Sequence, residues 1–331
     1  MAAISSLVEQ RLSVLLAFLL LTGPLWAPQS IQAQVSETGS IGGFEAKFVD
    51  VNGVQTRFYE VGEGEPMVLV HGSGFSGSAS ANTWVPVLGD LGQRFHVFAP
   101  DKLASGMTDN PASDSEISLQ GEVNHMVEFI RTLDFDQVHL VGQSRGAGLA
   151  FALSVQHPEM VETLVLVDSE TASPPVGDYE ERRNTARAAC EPLAGAEQIR
   201  CGWEALSYSA SHVNDEFVAA AVFMDSQPKS EETQRRMWSG GNNPYVTEWM
   251  YDLHTKVQEE GTLQMPVLLY WGRNDPTAWL PSGLALYDVI GEKNPNVRMI
   301  IVNKAGHFHY REYPKEFSRN VINFIDHWMA Q

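Results

Sequence analysis

Ser144 stands in Gly142-Gln143-Ser144-Arg145-Gly146, with an apolar run (138–141) before it and the helix-like AGLAFALSV after it. A serine hydroxyl is a weak nucleophile until a base takes its proton and a third group orients that base. The two glycines leave room for a strand-to-helix turn tight enough to project the hydroxyl above a sheet. Two later loops hold the remaining groups. Asp275 lies in Gly272-Arg273-Asn274-Asp275-Pro276 after the run 266–271, and His307 lies in Ala305-Gly306-His307 after the run 297–302. In this reading Ser144 attacks a carbonyl, His307 carries the proton and Asp275 orients His307. Asp168, which ends the run 164–167, is the rival acid, whereas Asp101 in Ala99-Pro100-Asp101 reads as structural.

A tetrahedral intermediate needs donors fixed in advance for its oxyanion. The backbone N–H of Arg145, with that of Ser73 or Gly74 from His71-Gly72-Ser73-Gly74, meets that need, and His71 reads as shaping the turn. The stretch Gly72 to Gly77 also satisfies G-x-G-x-x-G, but no helix opens there, so a dinucleotide site is rejected. His309 lies two residues after His307, yet no third ligand for a catalytic metal is evident; the chemistry needs no metal and no cofactor. Arg145 has two readings: a cation that attracts a substrate carboxylate, or one salt-bridged to an acid such as Glu170.

These residues work only if one edge of one sheet gathers them. Apolar runs at 67–70, 96–99, 138–141, 164–167, 266–271 and 297–302 read as buried strands, with helical patterns such as 121–133 and 146–156 between them. That alternation predicts a mostly parallel sheet covered on both faces, whose loops converge at the strands' carboxyl ends. Segments 47–51 and 54–61, joined at Asn52-Gly53, predict an antiparallel hairpin at one edge. Between 171 and 263 the strand signal stops. Trp203, Tyr208, Phe217, Phe223, Trp238, Trp249 and Tyr251 fall in helix-like patterns there, which predicts an inserted helical lid.

Composition limits the partners. The 331 residues are 44% hydrophobic and 19% charged, enough to build a large core, and the net charge of −19 disfavours nucleic acid. The run 12–21, after Arg11 and before Gly23-Pro24, is too short to span a bilayer comfortably and reads as a signal peptide, residues 1–33, cut after Ala33. An uncleaved anchor is the alternative. The expected organisation is 1–33 signal, 34–170 first part of the core, 171–263 lid and 264–331 second part. A periplasmic or secreted protein without stable membrane association follows. Cys190 and Cys201 then read as a disulfide, the other reading being two free thiols.

With these parts in order, the chain resembles the α/β-hydrolase superfamily. Within it the chain resembles the meta-cleavage product hydrolases, which split carbon–carbon bonds in dienoates formed by aromatic ring cleavage. The likeness rests on His71 to Gly74, Ala81-Asn82 with Trp84, Ala99-Pro100-Asp101 with Gly106 and Thr108-Asp109, the serine turn, Gly272-Arg273 with Asp275, and Gly306-His307. Members commonly carry Asn before the serine and Trp after the histidine, where this chain has Gln143 and Phe308. They also share a lid arginine for the substrate carboxylate, and the segment 214–223 is rich in Ala at that place. Asn82, Phe308 and Arg145 are the expected contacts to a small substrate, carboxylate-bearing or aromatic. The leading expectation is an exported esterase or lactonase. A carbon–carbon bond hydrolase and a binding protein that has lost its chemistry are the alternatives.

Overall fold

Asn52 and Gly53 both take positive φ, 52° and 89°, as a two-residue hairpin turn demands. They join β1 (Ala46–Val51) to β2 (Val54–Val61) at the edge of an eight-stranded sheet. The computed structural model describes residues 35–237 and 249–331, all within one compact unit, Gln34–Gln331. The proposed signal peptide and Trp238 lie outside the described residues.

The remaining strands are β3 (Glu65–Val70), β4 (Phe95–Pro100), β5 (Val138–Gln143), β6 (Val161–Val167), β7 (Val267–Gly272) and β8 (Val297–Val302). Their order is β1-β2-β4-β3-β5-β6-β7-β8, antiparallel through β1, β2 and β4 and parallel from β4 onward. Strands β5 and β7 are buried at every residue. Covered on both faces, they read as unbroken apolar runs rather than alternations.

Along each strand successive side chains go to opposite faces, so one run feeds two cores. Val68, Leu140 and Leu164 point to the side of α2 (Leu119–Thr132), α3 (Arg145–Gln156) and α9 (Leu280–Gly291). Met67, Val141 and Val165 point to α1 (Val85–Leu91) and, beyond the four-residue α10 (His309–Glu312), to α11 (Pro314–Met329).

Between β6 and β7 the described residues hold only helices: α4 (Tyr179–Arg187), α5 (Gly195–Ala205), α6 (Asp215–Asp225), α7 (Pro228–Met237) and α8 (Met250–Glu260), with short 3-10 turns. The expected boundary at 263 takes in one helix too many. Met250, Leu253 and Val257 of α8 belong to the same core cluster as α3 and α9, because an apolar helical stripe looks the same whether it faces a sheet layer or an insertion. Among the described residues no helix is long and apolar enough to cross a membrane.

Cys190 and Cys201 form a disulfide, with Cα atoms 5.6 Å apart, that ties the end of the α4 segment to α5. A loop of this size is worth about 3 kcal/mol. Replacing both cysteines by serine is expected to lower the melting temperature by about 5–10 °C at this chain length. An unchanged melting temperature in a calorimetric scan contradicts that role.

Candidate active site

Ser144 lies between β5 and α3 with φ 53° and ψ −123°, a strained pair for any residue with a β-carbon, costing about 1–3 kcal/mol. The surroundings hold it there. Its N–H donates to Val167 O at 2.8 Å, and its carbonyl accepts from Ser169 Oγ at 2.6 Å and from the N–H groups of Ala147 and Gly148. A Cβ on Gly146 would meet His71 O at 2.3 Å, so only glycine lets the turn lie against the loop after β3. Ser144 itself is half-buried.

Asp275 and His307 meet across the loops after β7 and β8. His307 Nδ1 lies 2.5 Å from Asp275 Oδ2, while Asp275 Oδ1 accepts from the N–H groups of Thr277 and Ala278 and from the Thr277 hydroxyl. The two loops touch through glycines: a Cβ on Gly272 would meet Gly306 O at 2.3 Å. Gln143 joins this loop to the serine turn by donating from Nε2 to His307 O at 3.1 Å. The departure from Asn at this position therefore has a structural use.

Burial disfavours the His307 imidazolium, but the Asp275 charge and hydrogen bond outweigh burial and raise the pKa above its ordinary 6.5; the guanidinium of Arg187 opposes them. A base must be neutral to take a proton. Activity is therefore expected to fall as pH drops through a value above 6.5, and a kcat/KM profile with its acid limb below 6.5 contradicts the assignment.

Asp168 does not contact His307. Its Oδ1 accepts from Gly272 N at 2.8 Å, and its Oδ2 lies 2.8 Å from His309 Nε2, out of line for a hydrogen bond. Burial, then the Asp275 charge, push the Asp168 carboxyl well up, and burial pushes His309 down to about 4. Both shifts favour the neutral form of this buried couple beside the site. Among the described residues no group of three or more His, Cys, Asp or Glu side chains is placed to hold a metal ion.

The loop after β3 is wired on one side. Lys102 N donates to His71 Nε2 at 3.0 Å, so the ring proton sits on Nδ1, which donates to Gly72 O at 2.7 Å. Burial and the Lys102 ammonium keep this imidazole neutral. Ser73 is exposed with φ 51°, and the N–H groups of Ser73 and Gly74 have no hydrogen-bond partner among the described residues.

Three of the expected substrate contacts have partners within the protein. Arg145 is bound not to Glu170 but to Glu122 of α2, Nε to Oε2 at 3.0 Å, and its guanidinium covers the Phe75 ring; Glu170 pairs with Arg182 instead. Asn82 spends its polar atoms within the protein. It is buried, its Oδ1 accepting from Arg57 and Tyr59 and its Nδ2 donating to Gly39 O, in a network that the buried Arg57–Asp101 pair anchors. Phe308 is buried between the His307 ring, 5.1 Å away centre to centre, and Trp203 of the insertion at 4.1 Å.

Two residues that sequence reasoning passed over join the insertion to the histidine loop. His307 N donates to Leu206 O at 2.8 Å, and the Glu312 carboxylate accepts from the N–H groups of Gly306, Tyr208 and Ser209. Arg187, exposed at the end of α4, is a cation of the insertion close enough to bear on His307. Nothing in local sequence separates Glu312 and Arg187 from ordinary surface charges.

A family profile described as alpha/beta hydrolase fold matches residues 65–312, from the first residue of β3 to the last of α10, and the chain belongs to that family. It is 27% identical over 305 residues to the 2-hydroxy-6-oxo-6-(2'-aminophenyl)hexa-2,4-dienoic acid hydrolase of Metapseudomonas resinovorans, covering 88% of this chain and 94% of the relative. It is 28% identical over 273 residues to the 2-hydroxymuconate semialdehyde hydrolase of Pseudomonas sp. strain CF600, covering 82% and 91%. Among solved structures, the meta-cleavage product hydrolase of Pseudomonas fluorescens IP01, complexed with acetates, matches with a TM-score of 0.69 at 26% identity over 85% of this chain and 97% of that one.

Proposed function

We propose that the protein is a serine hydrolase that cleaves a carbon–carbon bond in a small dienoate bearing a vinylogous ketone. The 2.5 Å contact between Asp275 and His307, beside a serine held at the strained turn, carries the catalytic half of this reading. The dienoate hydrolases among its relatives carry the substrate half.

In the mechanism, Ser144 Oγ forms a bond to the ketone carbon while its proton passes to His307, and the oxyanion is received by backbone N–H groups of the loop after β3 and of Arg145. The scissile bond breaks, His307 returns the proton to the departing carbon, and the acyl group stays on Ser144. Water then attacks with His307 again as base, releasing a carboxylic acid and restoring the serine. Asp275 keeps the His307 proton on Nδ1 and offsets the imidazolium charge. Arg187, a cation of the insertion whose charge bears on His307, is assigned to the substrate carboxylate, and Arg187→Gln is expected to raise KM for a dienoate about tenfold.

Hydrolysis of a small ester or lactone is the second reading, favoured by the absence of any cation from the segment 214–223. Comparing kcat/KM for a ring-fission dienoate and for p-nitrophenyl butyrate decides between them. The dienoate is expected to be the better substrate, and a clear preference for the ester overturns the carbon–carbon reading. The enzyme is also proposed to act outside the cytoplasm, as a mature chain beginning after Ala33, with helices α4 to α7 serving as a lid. The leader pattern and the disulfide support export. Recovery of uncleaved protein from the cytoplasmic fraction contradicts it.

A further inference from the structure

Lys102, Glu122 and Arg145 come from three separate elements: the loop after β4, helix α2 and the start of α3. Their side chains meet in a buried cluster. Glu122 takes Lys102 Nζ on Oε1 at 2.9 Å and Arg145 Nε on Oε2 at 3.0 Å, and the Lys102 and Glu122 side chains are 0% exposed. Burying such charges costs more than apolar packing of the same volume in many proteins, so the cluster calls for an explanation beyond stability.

The other bond of Lys102 supplies one. Nζ also donates to Ser73 O at 2.5 Å, and a Cβ on Gly74 would lie 3.2 Å from Nζ and 3.0 Å from Glu122 Oε1, so the cluster packs directly behind that peptide. In a trans peptide the carbonyl and the following N–H point in opposite directions. Pinning Ser73 O therefore aims the Gly74 N–H away from the cluster, just as His71 pins Gly72 O and aims the Ser73 N–H. Further along, the loop's other groups are spent: Phe75 N on Ser105 Oγ, Phe75 O on Gln234, Ser76 O on Gly106 N and Gly77 N on Ser230 Oγ.

We infer that Lys102, held by Glu122, is a positioning residue that aims the Gly74 N–H at the oxyanion formed on the substrate. The inference rests on the serine-hydrolase reading, and it adds a residue that touches no reacting atom. Losing one oxyanion donor costs about 10²–10³-fold in kcat, and a misaimed donor costs part of that.

The test compares wild type with Lys102→Met and Lys102→Arg in hydrolysis of p-nitrophenyl butyrate and in inhibition by phenylboronic acid, which forms a tetrahedral adduct on an activated serine. Lys102→Met is expected to lower kcat about 30-fold, to weaken boronate inhibition by a similar factor and to leave KM within about twofold. Lys102→Arg, which keeps a cationic donor, is expected to recover most of both. A purely structural role would lower kcat without moving boronate affinity relative to wild type, and that result overturns the inference, as does an unchanged kcat. Should Lys102→Met fail to fold, Glu122→Gln carries the same comparison: kcat and boronate affinity are expected to fall together about tenfold, and unchanged boronate affinity overturns the inference. Wild-type protein inert to both probes removes the serine-hydrolase reading itself, an outcome distinct from a silent Lys102→Met in an active enzyme.

Discussion

Ser144→Ala is expected to reduce turnover of any accepted substrate by roughly 10⁴–10⁶-fold, the loss seen when a nucleophile that acts as one unit with its base is removed. The same change is expected to leave the fold intact. The backbone at this position is held by Val167 O, Ser169 Oγ and the start of α3, none of which involves the serine hydroxyl. Alanine carries the same β-carbon through the same positive φ, so the melting temperature should shift by no more than about 2 °C, within the range of a change below 1 kcal/mol. Residual activity within tenfold of wild type, in protein shown to be folded, would place the nucleophile elsewhere.

The second large effect separates the two buried carboxylates. Asp275→Asn is expected to lower kcat about 10⁴-fold, close to 5.5 kcal/mol of barrier, because an amide in this position favours the wrong imidazole tautomer. Asp168→Asn should cost less than about tenfold. Burial and the Asp275 charge push its carboxyl toward the neutral form, which an amide matches closely in charge and shape, and the remaining oxygen still accepts from Gly272 N. Measuring kcat/KM of both variants on one substrate checks the pair. A greater loss in Asp168→Asn would transfer the acid role to Asp168 and turn attention to its neighbour His309.

The sequence carried most of the framework because the physics behind it is local. Five of the six apolar runs fell on strands covered on both faces, with no polar face to interrupt them, the sixth fell on the partly exposed edge strand β8, and Asn52-Gly53 fell on the hairpin because few other pairs accept positive φ twice. Ser144 was legible for a similar reason: the turn that strains it needs glycine on either side. What stayed hidden depends on contacts between residues far apart in the chain. No local pattern pairs Arg145 with Glu122 rather than Glu170, joins Gln143 to the carbonyl of His307, or removes Asn82 into the network of Arg57. The same holds for α8, whose apolar stripe fits an insertion or a core layer equally well until its partners in α3 and α9 are seen.

An activated Ser144 should react covalently with a fluorophosphonate probe. The purified protein and its Ser144→Ala variant would be treated in parallel and the adduct located by peptide mass spectrometry. A single covalent adduct is expected on the Ser144 peptide of the wild type and none on the variant. An unlabelled wild type, or an adduct that persists in Ser144→Ala, contradicts an activated Ser144.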